Sequence, residues 1–235
     1  IRGRDVKKWY VKFENRYIIV PHDPRTGRPL PERVMKEKFP KTYEYFYSYK
    51  VMLSGRAIHR LWGKGNPFYS IYDIGSYTFA PYKVVWKEIA GGITGKATEY
   101  ACAVVEPRDV YGIIKPVVPD HKIIMVPLGS LDEAYYLAGV LNSIITKAII
   151  ASYTYELGFE THILENIKVP KYINLSVQTR IAKLSRKAHE LAREIYERGR
   201  KDLEEELKRV EDELDRSVAK LYGITEEELK EIKRI

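Results

Sequence analysis

The segment after residue 175 constrains the fold most, because its apolar residues recur at intervals of three and four. One run comprises Ile181, Leu184, Ala188, Leu191 and Ile195, and a second comprises Leu203, Leu207, Val210, Leu214, Val218 and Leu221. Such intervals place the apolar side chains on one face of a helix, and residues of both charges fill the remaining faces. The pattern predicts a helical hairpin or a coiled coil over residues 176–235.

Gly199 lies between the two runs and favours a hairpin over one continuous helix. Glycine readily adopts the left-handed conformation that ends many helices. Asp202 and Glu205 have the spacing of a capping box, which would open the second helix. Thr225 and Glu228 have the same spacing and predict a short terminal helix.

Residues 1–175 contain runs of β-branched and aromatic residues that are bounded by glycine and proline. These runs predict strands at residues 16–21, 77–90, 99–107 and 122–128. Residues 22–33 hold three prolines and a glycine. That composition predicts a surface loop or the tip of a β-hairpin.

Two helices are predicted in the same part of the chain. Apolar spacing predicts one over residues 42–56 and a buried one over residues 134–153, which Ser130 and Glu133 would cap. We therefore predict a mixed α/β (α+β) fold. A β-rich domain over residues 1–175 would be followed by the helical segment over residues 176–235.

Positive charge is concentrated in residues 1–100, which carry 19 Lys+Arg against 9 Asp+Glu in a chain of net charge +8. Aromatic residues are interleaved with these cations. Basic and aromatic side chains together suit a phosphate backbone that lies beside exposed bases or groove edges. A solvated basic surface is the alternative, and charge alone favours neither interpretation.

Composition excludes several classes of protein. A hydrophobic share of 45% and a charged share of 31% are typical of a globular chain. No apolar run reaches the roughly 18 residues of a membrane span, and the single cysteine fits a reducing cytosol. We expect a cytoplasmic protein with no membrane partner. Few Asn and Gln among many Lys, Arg and Glu indicate a thermophile, and a start at Ile1 indicates a piece of a longer protein.

Two short motifs resemble catalytic or phosphate-binding loops without meeting their requirements. Asn66–Tyr69 reads Asn-Pro-Phe-Tyr, whereas the adenine amino-methyltransferase loop has a second proline, and no glycine-rich cofactor turn precedes it. Residues 90–98 lack the first glycine and the Ser or Thr of a phosphate loop, because Ala90 and Ala97 stand there. We expect no catalytic residue in this chain.

The five histidines are scattered, and none has metal-ligand spacing with another or with Cys102. We interpret each as a surface or packing residue and expect no metal site. The five are His22, His59, His121, His162 and His189.

Five stretches, taken in order, resemble one family: the C-terminal specificity (target-recognition) domain of Taq-type N6-adenine DNA methyltransferases, also found in fused restriction–modification enzymes. The stretches are RGRDVKKW (2–9), YFYSYKVMLSGR to LW (45–62), APYKVVWKEI (80–89), LAGVLNSIITKAIIASY to ENIKVP (137–170) and ELDRSVAKLYGITEEELKEI (213–232). The resemblance extends over almost the whole chain, from the first stretch to the last. The basic, proline-rich residues 22–33 depart from the family pattern.

The resemblance implies a domain that recognises a sequence in double-stranded DNA for a methyltransferase or a type II restriction enzyme. It implies no cofactor in this chain. S-Adenosylmethionine would bind a neighbouring N-terminal methyltransferase domain, in the same or another chain. Two alternatives are a stand-alone DNA-specificity subunit and a general nucleic-acid-binding or structural module.

Our candidate DNA contacts come from the basic first half of the chain and assume that the chain recognises DNA. Lysines and arginines would bind phosphates or groove edges, and two aromatic residues would stack or wedge, with core packing as their alternative. The candidates are Lys7, Lys8, Arg56, Arg60, Trp62, Lys64, Tyr69, Lys83 and Lys87. Asn142 and Ser143 match the family motif, but in an apolar helix we expect them to bond backbone groups.

Overall fold

The computed structural model describes residues 1–62, 65–87, 100–153 and 167–234, except the side chains of Ile58, Trp62 and Tyr153. The chain forms two compact units. The core unit comprises Ile1–Asn15 and Pro81–Ile235, and the inserted unit comprises Arg16–Ala80. The predicted loop over residues 90–98, His162 and Lys64 lie outside the described residues.

Helices account for 51% and strands for 14% of the structure, which confirms a mixed α/β fold with less strand than a β-rich domain implies. The strands are β1 (Val6–Lys7), β2 (Tyr10–Val11), β3 (Tyr82–Lys87), β4 (Cys102–Val105), β5 (Arg108–Val110), β6 (Ile113–Lys115) and β7 (Ile123–Leu128). The helices are α1 (Glu32–Lys38), α2 (Pro40–Ser48), α3 (Lys50–Ser54), α4 (Ala57–Trp62), α5 (Leu131–Asn142), α6 (Ile144–Tyr153), α7 (Ser176–Arg198), α8 (Glu204–Tyr222) and α9 (Glu226–Ile232).

A three-stranded antiparallel sheet with the order β4-β3-β7 organises the core unit. One face of β3, through Val84 and Trp86, packs against α5. The opposite face, through Val85, packs with Val11 of β2. The predicted strands at residues 77–90, 99–107 and 122–128 therefore form, although each is shorter than predicted.

The C-terminal helices form the predicted hairpin and share a core with α5. Val140 of α5, Ile181 of α7 and Val218 of α8 belong to one buried cluster. Gly199, at φ 68°, ends α7 as predicted. The compact units therefore do not follow the boundary at residue 175, and separate roles for residues 1–175 and 176–235 stay a prediction.

The predicted caps of α8 and α9 have different outcomes. Thr225 and Glu228 form the predicted capping box, in which Thr225 N donates to Glu228 Oε2 at 2.7 Å. Asp202 does not cap α8, because its carboxylate binds the guanidinium of Arg200 at 2.7 Å and a 3₁₀ turn precedes the helix.

The buried helix predicted over residues 134–153 is two helices bent by 54°. Ser143 Oγ and Thr146 Oγ1 both donate to Val140 O, each at 2.7 Å. The amide of Ile144 instead donates to Asp215 Oδ1 of α8 at 2.9 Å. The helix therefore breaks at Ser143, where the backbone is extended.

No single helix in the described ranges has both the length and the apolar composition to cross a bilayer, and α5 with α6 meets that test only as a bent pair.

Two predictions for the inserted unit need correction. Residues 16–21 form no strand, because they pair with no strand among the described residues. The helix predicted over residues 42–56 is broken at Tyr49, between α2 and α3. The loop over residues 22–33 does include a hairpin tip, with His22 bridged to Pro29.

Candidate nucleic-acid interface

Aromatic packing holds the inserted unit together. Met35, Tyr43, Phe68 and Tyr69 form its buried cluster. Tyr69 is 1% exposed, and its hydroxyl donates to Leu30 O at 2.8 Å. Burial raises the pKa of Tyr69 to about 12. The Tyr69 ring therefore cannot reach a base in this conformation, and its role here is the alternative one, core packing.

Arg56 is partly buried, and its guanidinium forms hydrogen bonds with a loop of the inserted unit. Its Nε donates to Leu53 O at 2.9 Å, and Nη2 donates to Phe68 O at 3.0 Å and Ser70 O at 2.9 Å. Burial lowers the pKa of Arg56. A guanidinium that binds three carbonyls of its own unit positions that loop, and these bonds leave it poorly placed to contact DNA.

His22 also links two segments of the inserted unit through hydrogen bonds. Its Nε2 accepts from the amide of Ile71 at 2.9 Å, so the proton lies on Nδ1, which donates to Gly27 O at 2.8 Å. Burial lowers the pKa of His22. This histidine is a neutral packing residue, as predicted.

The surface of the inserted unit is basic. Residues 16–80 hold 11 Lys+Arg against 5 Asp+Glu. Five exposed cations make no ion pair with any described carboxylate; they are Arg25, Arg28, Lys38, Lys41 and Arg60. A phosphate could therefore bind them without first breaking an ion pair.

One of these cations, Lys41, is followed on α2 and at its C-terminal end by exposed aromatic side chains. Lys41 and Tyr45 lie four residues apart on α2 and share one face of it, and Tyr49 is the residue that follows this helix; the three residues are called the tyrosine stripe. Tyr45 is 55% and Tyr49 is 45% exposed, and their rings meet edge to face at 5.3 Å. Cations beside exposed rings are the side chains that phosphates and bases contact in nucleic-acid complexes.

The four lysine candidates of the core unit differ in exposure. Lys7 is exposed, with Nζ 5.9 Å from the centroid of the Tyr196 ring, and Lys87 is exposed at the end of β3. Lys8 Nζ is paired with Glu211 at 2.5 Å. Lys83 is 1% exposed, and burial lowers its pKa to about 8. Lys83 is therefore not positioned to bind DNA, and Lys8 is already neutralised.

The structure thus distributes the candidates over both units. Among them, Lys7, Arg60 and Lys87 are exposed cations, while the Trp62 side chain and Lys64 lie outside the described residues. The tyrosine stripe was missed at the sequence level. The interval of four that joins Lys41, Tyr45 and Tyr49 was the signal for it.

A cleft of about 350 Å³ opens in the core unit beside β2, β4 and α7. Tyr135 donates to Glu106 Oε1 at 2.7 Å on its wall. His189 Nε2 accepts from Val104 N at 2.9 Å, so Nδ1 donates to Ser185 O at 2.7 Å. Burial lowers the pKa of His189 to about 4. With both nitrogens engaged, this histidine is not placed to act as a general base.

Cys102 is buried, and burial raises the pKa of its thiol to about 12. A thiol held in its neutral form is a poor nucleophile. No group of three or more His, Cys, Asp or Glu side chains among the described residues could hold a metal ion.

No family model matches the chain. A type II methyltransferase, M.NspV from Nostoc sp., is 24% identical over 156 residues. The match covers 65% of this chain and 28% of that protein, so the chain spans less than a third of the relative's length. The similarity indicates a relationship to restriction–modification methyltransferases.

Proposed function

We propose that this chain is the DNA target-recognition part of an adenine-specific methyltransferase or of a restriction–modification enzyme. The observation that carries the proposal is the basic surface of the inserted unit, where five exposed cations pair with no described carboxylate and one of them, Lys41, lies one helical turn from the exposed Tyr45. The similarity to a type II methyltransferase supports the same context.

The cations and the groove-reading side chains would do different work. Lys38 and Lys41 bind phosphates, which gives affinity that depends on salt and not on sequence. Arg60, exposed on α4, is the candidate for a base edge, because a guanidinium can bind guanine O6 and N7 together. Extrusion of the adenine and binding of S-adenosylmethionine belong to a neighbouring methyltransferase domain, in the same or another chain.

Replacing Lys38 and Lys41 together with alanine should weaken binding to any duplex. Each lost phosphate contact lowers the slope of log affinity against log salt by about 0.9, so the pair should lower it by up to about 1.8. Fluorescence anisotropy of a labelled duplex, titrated at several KCl concentrations with the whole chain, measures this slope. RNA and random DNA as competitors separate duplex-DNA recognition from general nucleic-acid binding.

Lys183 and Lys230 provide the matched control, because both are exposed on core-unit helices and neither pairs with a described carboxylate. Their double alanine variant removes the same charge and should leave the slope unchanged. Lys233 is unsuitable as a control, because its ammonium binds Asp212. Equal slopes in the two double variants would contradict the proposed DNA surface.

Arg60→Ala should act on sequence preference rather than on general affinity. Loss of a bidentate arginine–guanine contact costs about 1–3 kcal/mol at the cognate base and little on random DNA. Selection of bound duplexes from a random pool, with the wild-type chain and then with the variant, should show one relaxed position. If the wild type and the variant select the same DNA motif, Arg60 does not contact a base.

A further inference from the structure

A two-stranded ribbon projects from the core unit at residues 108–115, formed by β5 and β6. Its large apolar side chains belong to none of the buried clusters of the described residues. Tyr111 is 90%, Ile113 is 56% and Ile114 is 67% exposed. An isolated hairpin is marginally stable in water, and exposed apolar groups of this size commonly mark an interaction site.

The tip of the ribbon has a fixed shape. Val110 pairs with Ile113, which leaves Tyr111 and Gly112 as a two-residue turn. Both have positive φ, 54° and 81°, as in a type I′ turn. Asp109 Oδ1 accepts from the amide of Gly112 at 2.9 Å. The tyrosine is thus presented by a defined turn.

The distribution of side chains on the ribbon indicates what kind of surface it meets. Ile113 and Ile114 are neighbours on one strand, so their side chains point to opposite faces. A ribbon that lay flat on one protein surface would need only one apolar face. Apolar side chains on both faces and at the tip suit insertion between two walls.

The base of the ribbon is positively charged. Arg108 and Lys115 pair across it, and neither forms an ion pair with a described carboxylate. The Arg108 guanidinium lies on the Phe13 ring at 4.1 Å, which positions it without neutralising it. An apolar tip with cations behind it complements a DNA groove, whose floor is made of bases and whose rims are phosphates.

We propose that this ribbon enters a groove of double-stranded DNA, with Tyr111 and Ile114 against a base step and Arg108 and Lys115 at the flanking phosphates. A two-stranded ribbon fits a groove, and proteins insert apolar side chains between base steps to unstack them. This inference rests on the proposed function and adds a second contact region, in the core unit.

Tyr111→Asn tests the wedge while preserving the turn, because Asn-Gly is the preferred sequence of a type I′ turn. A duplex selected from a random pool carries 2-aminopurine at each adenine in turn, and its fluorescence reports unstacking. The wild-type chain should raise the fluorescence at one step. The variant should lose that rise and bind roughly tenfold more weakly, with the salt slope unchanged. Tyr111→Phe should keep both properties.

The outcomes separate this inference from the proposed function. If Tyr111→Asn binds and unstacks as the wild type does, while Lys38 and Lys41 still set the salt slope, the wedge is wrong and the DNA-binding function stands. If Tyr111→Asn instead abolishes self-association in sedimentation without changing DNA binding, the ribbon docks protein and the wedge is also wrong. If the wild-type chain binds no duplex, both proposals fail together.

Discussion

Asn142→Leu should lower the free energy of unfolding by about 2–3 kcal/mol, although leucine has the same number and branching of side-chain heavy atoms as asparagine. Asn142 is 2% exposed. Its Oδ1 accepts from Cys102 N at 3.0 Å, and its Nδ2 donates to Cys102 O at 2.8 Å. The side-chain amide therefore takes the place of a neighbouring strand at the edge of β4.

Leucine would leave the Cys102 amide buried without a partner among the described residues, and an unsatisfied buried donor costs about 1–3 kcal/mol. The Cys102 carbonyl would keep Trp9 N as a donor at 3.2 Å. Urea unfolding should show a lower midpoint with an unchanged m-value, since the exposed surface is the same.

Asn66→Leu is the control for the chemical change itself, because Asn66 is exposed and makes no hydrogen bond to a described residue. It should alter the free energy of unfolding by no more than about 0.5 kcal/mol. An effect this small at Asn142 would mean that the paired amide bonds add little to the edge of β4.

Patterns confined to neighbouring residues predicted the C-terminal part of the chain well. Helical spacing and Gly199 are local signals, and the hairpin they predict forms. The break at Ser143 is different, because it depends on a distant residue. The amide of Ile144 donates to the carboxylate of Asp215, which lies 71 residues further along the chain. Spacing within one helix carries no information about such a partner.

At the candidate site, too, residue type could be read from the sequence, whereas the burial of each side chain could not. The sequence shows that the first half of the chain is basic and aromatic, but burial decides which of its tyrosines can contact a ligand. Tyr69 is 1% and Tyr45 is 55% exposed, although both lie in aromatic-rich stretches. Lys83 and Lys87 share the alternation of β3, yet Lys83 lies between β4 and β7 while Lys87 lies at the strand's exposed end. Tertiary packing, and not residue type, separates the members of each pair.

Acidification from about pH 6.5 to 4 should destabilise the chain, and His189 should account for about 3 kcal/mol of the loss. Burial lowers the pKa of His189 from 6.5 to about 4, and each unit of difference between folded and unfolded states corresponds to about 1.4 kcal/mol. The neutral form fits the folded state. The stabilisation is therefore complete above pH 6.5 and is lost as the unfolded state takes up a proton.

His189→Gln removes this titration. At pH 7 the variant should already be less stable by about 1–3 kcal/mol, because Val104 N and Ser185 O lose well-placed partners. Between pH 7 and 4 its free energy of unfolding should fall by about 3 kcal/mol less than that of the wild type. Urea unfolding at several pH values measures both quantities, and carboxylates and His22, which titrate in both proteins, cancel in the difference.

His121→Gln is the matched control, because His121 is exposed and forms no hydrogen bond to a described side chain. Its pH profile should follow the wild type, because this substitution leaves the buried imidazole of His189 and its bonds to Val104 N and Ser185 O in place. If His189→Gln and His121→Gln have the same profile, the imidazole between Val104 and Ser185 is not held neutral by its burial. The hydrogen bond from Val104 N of β4 to His189 of α7 would then not require a neutral imidazole, and the adjoining cleft could hold the charged form.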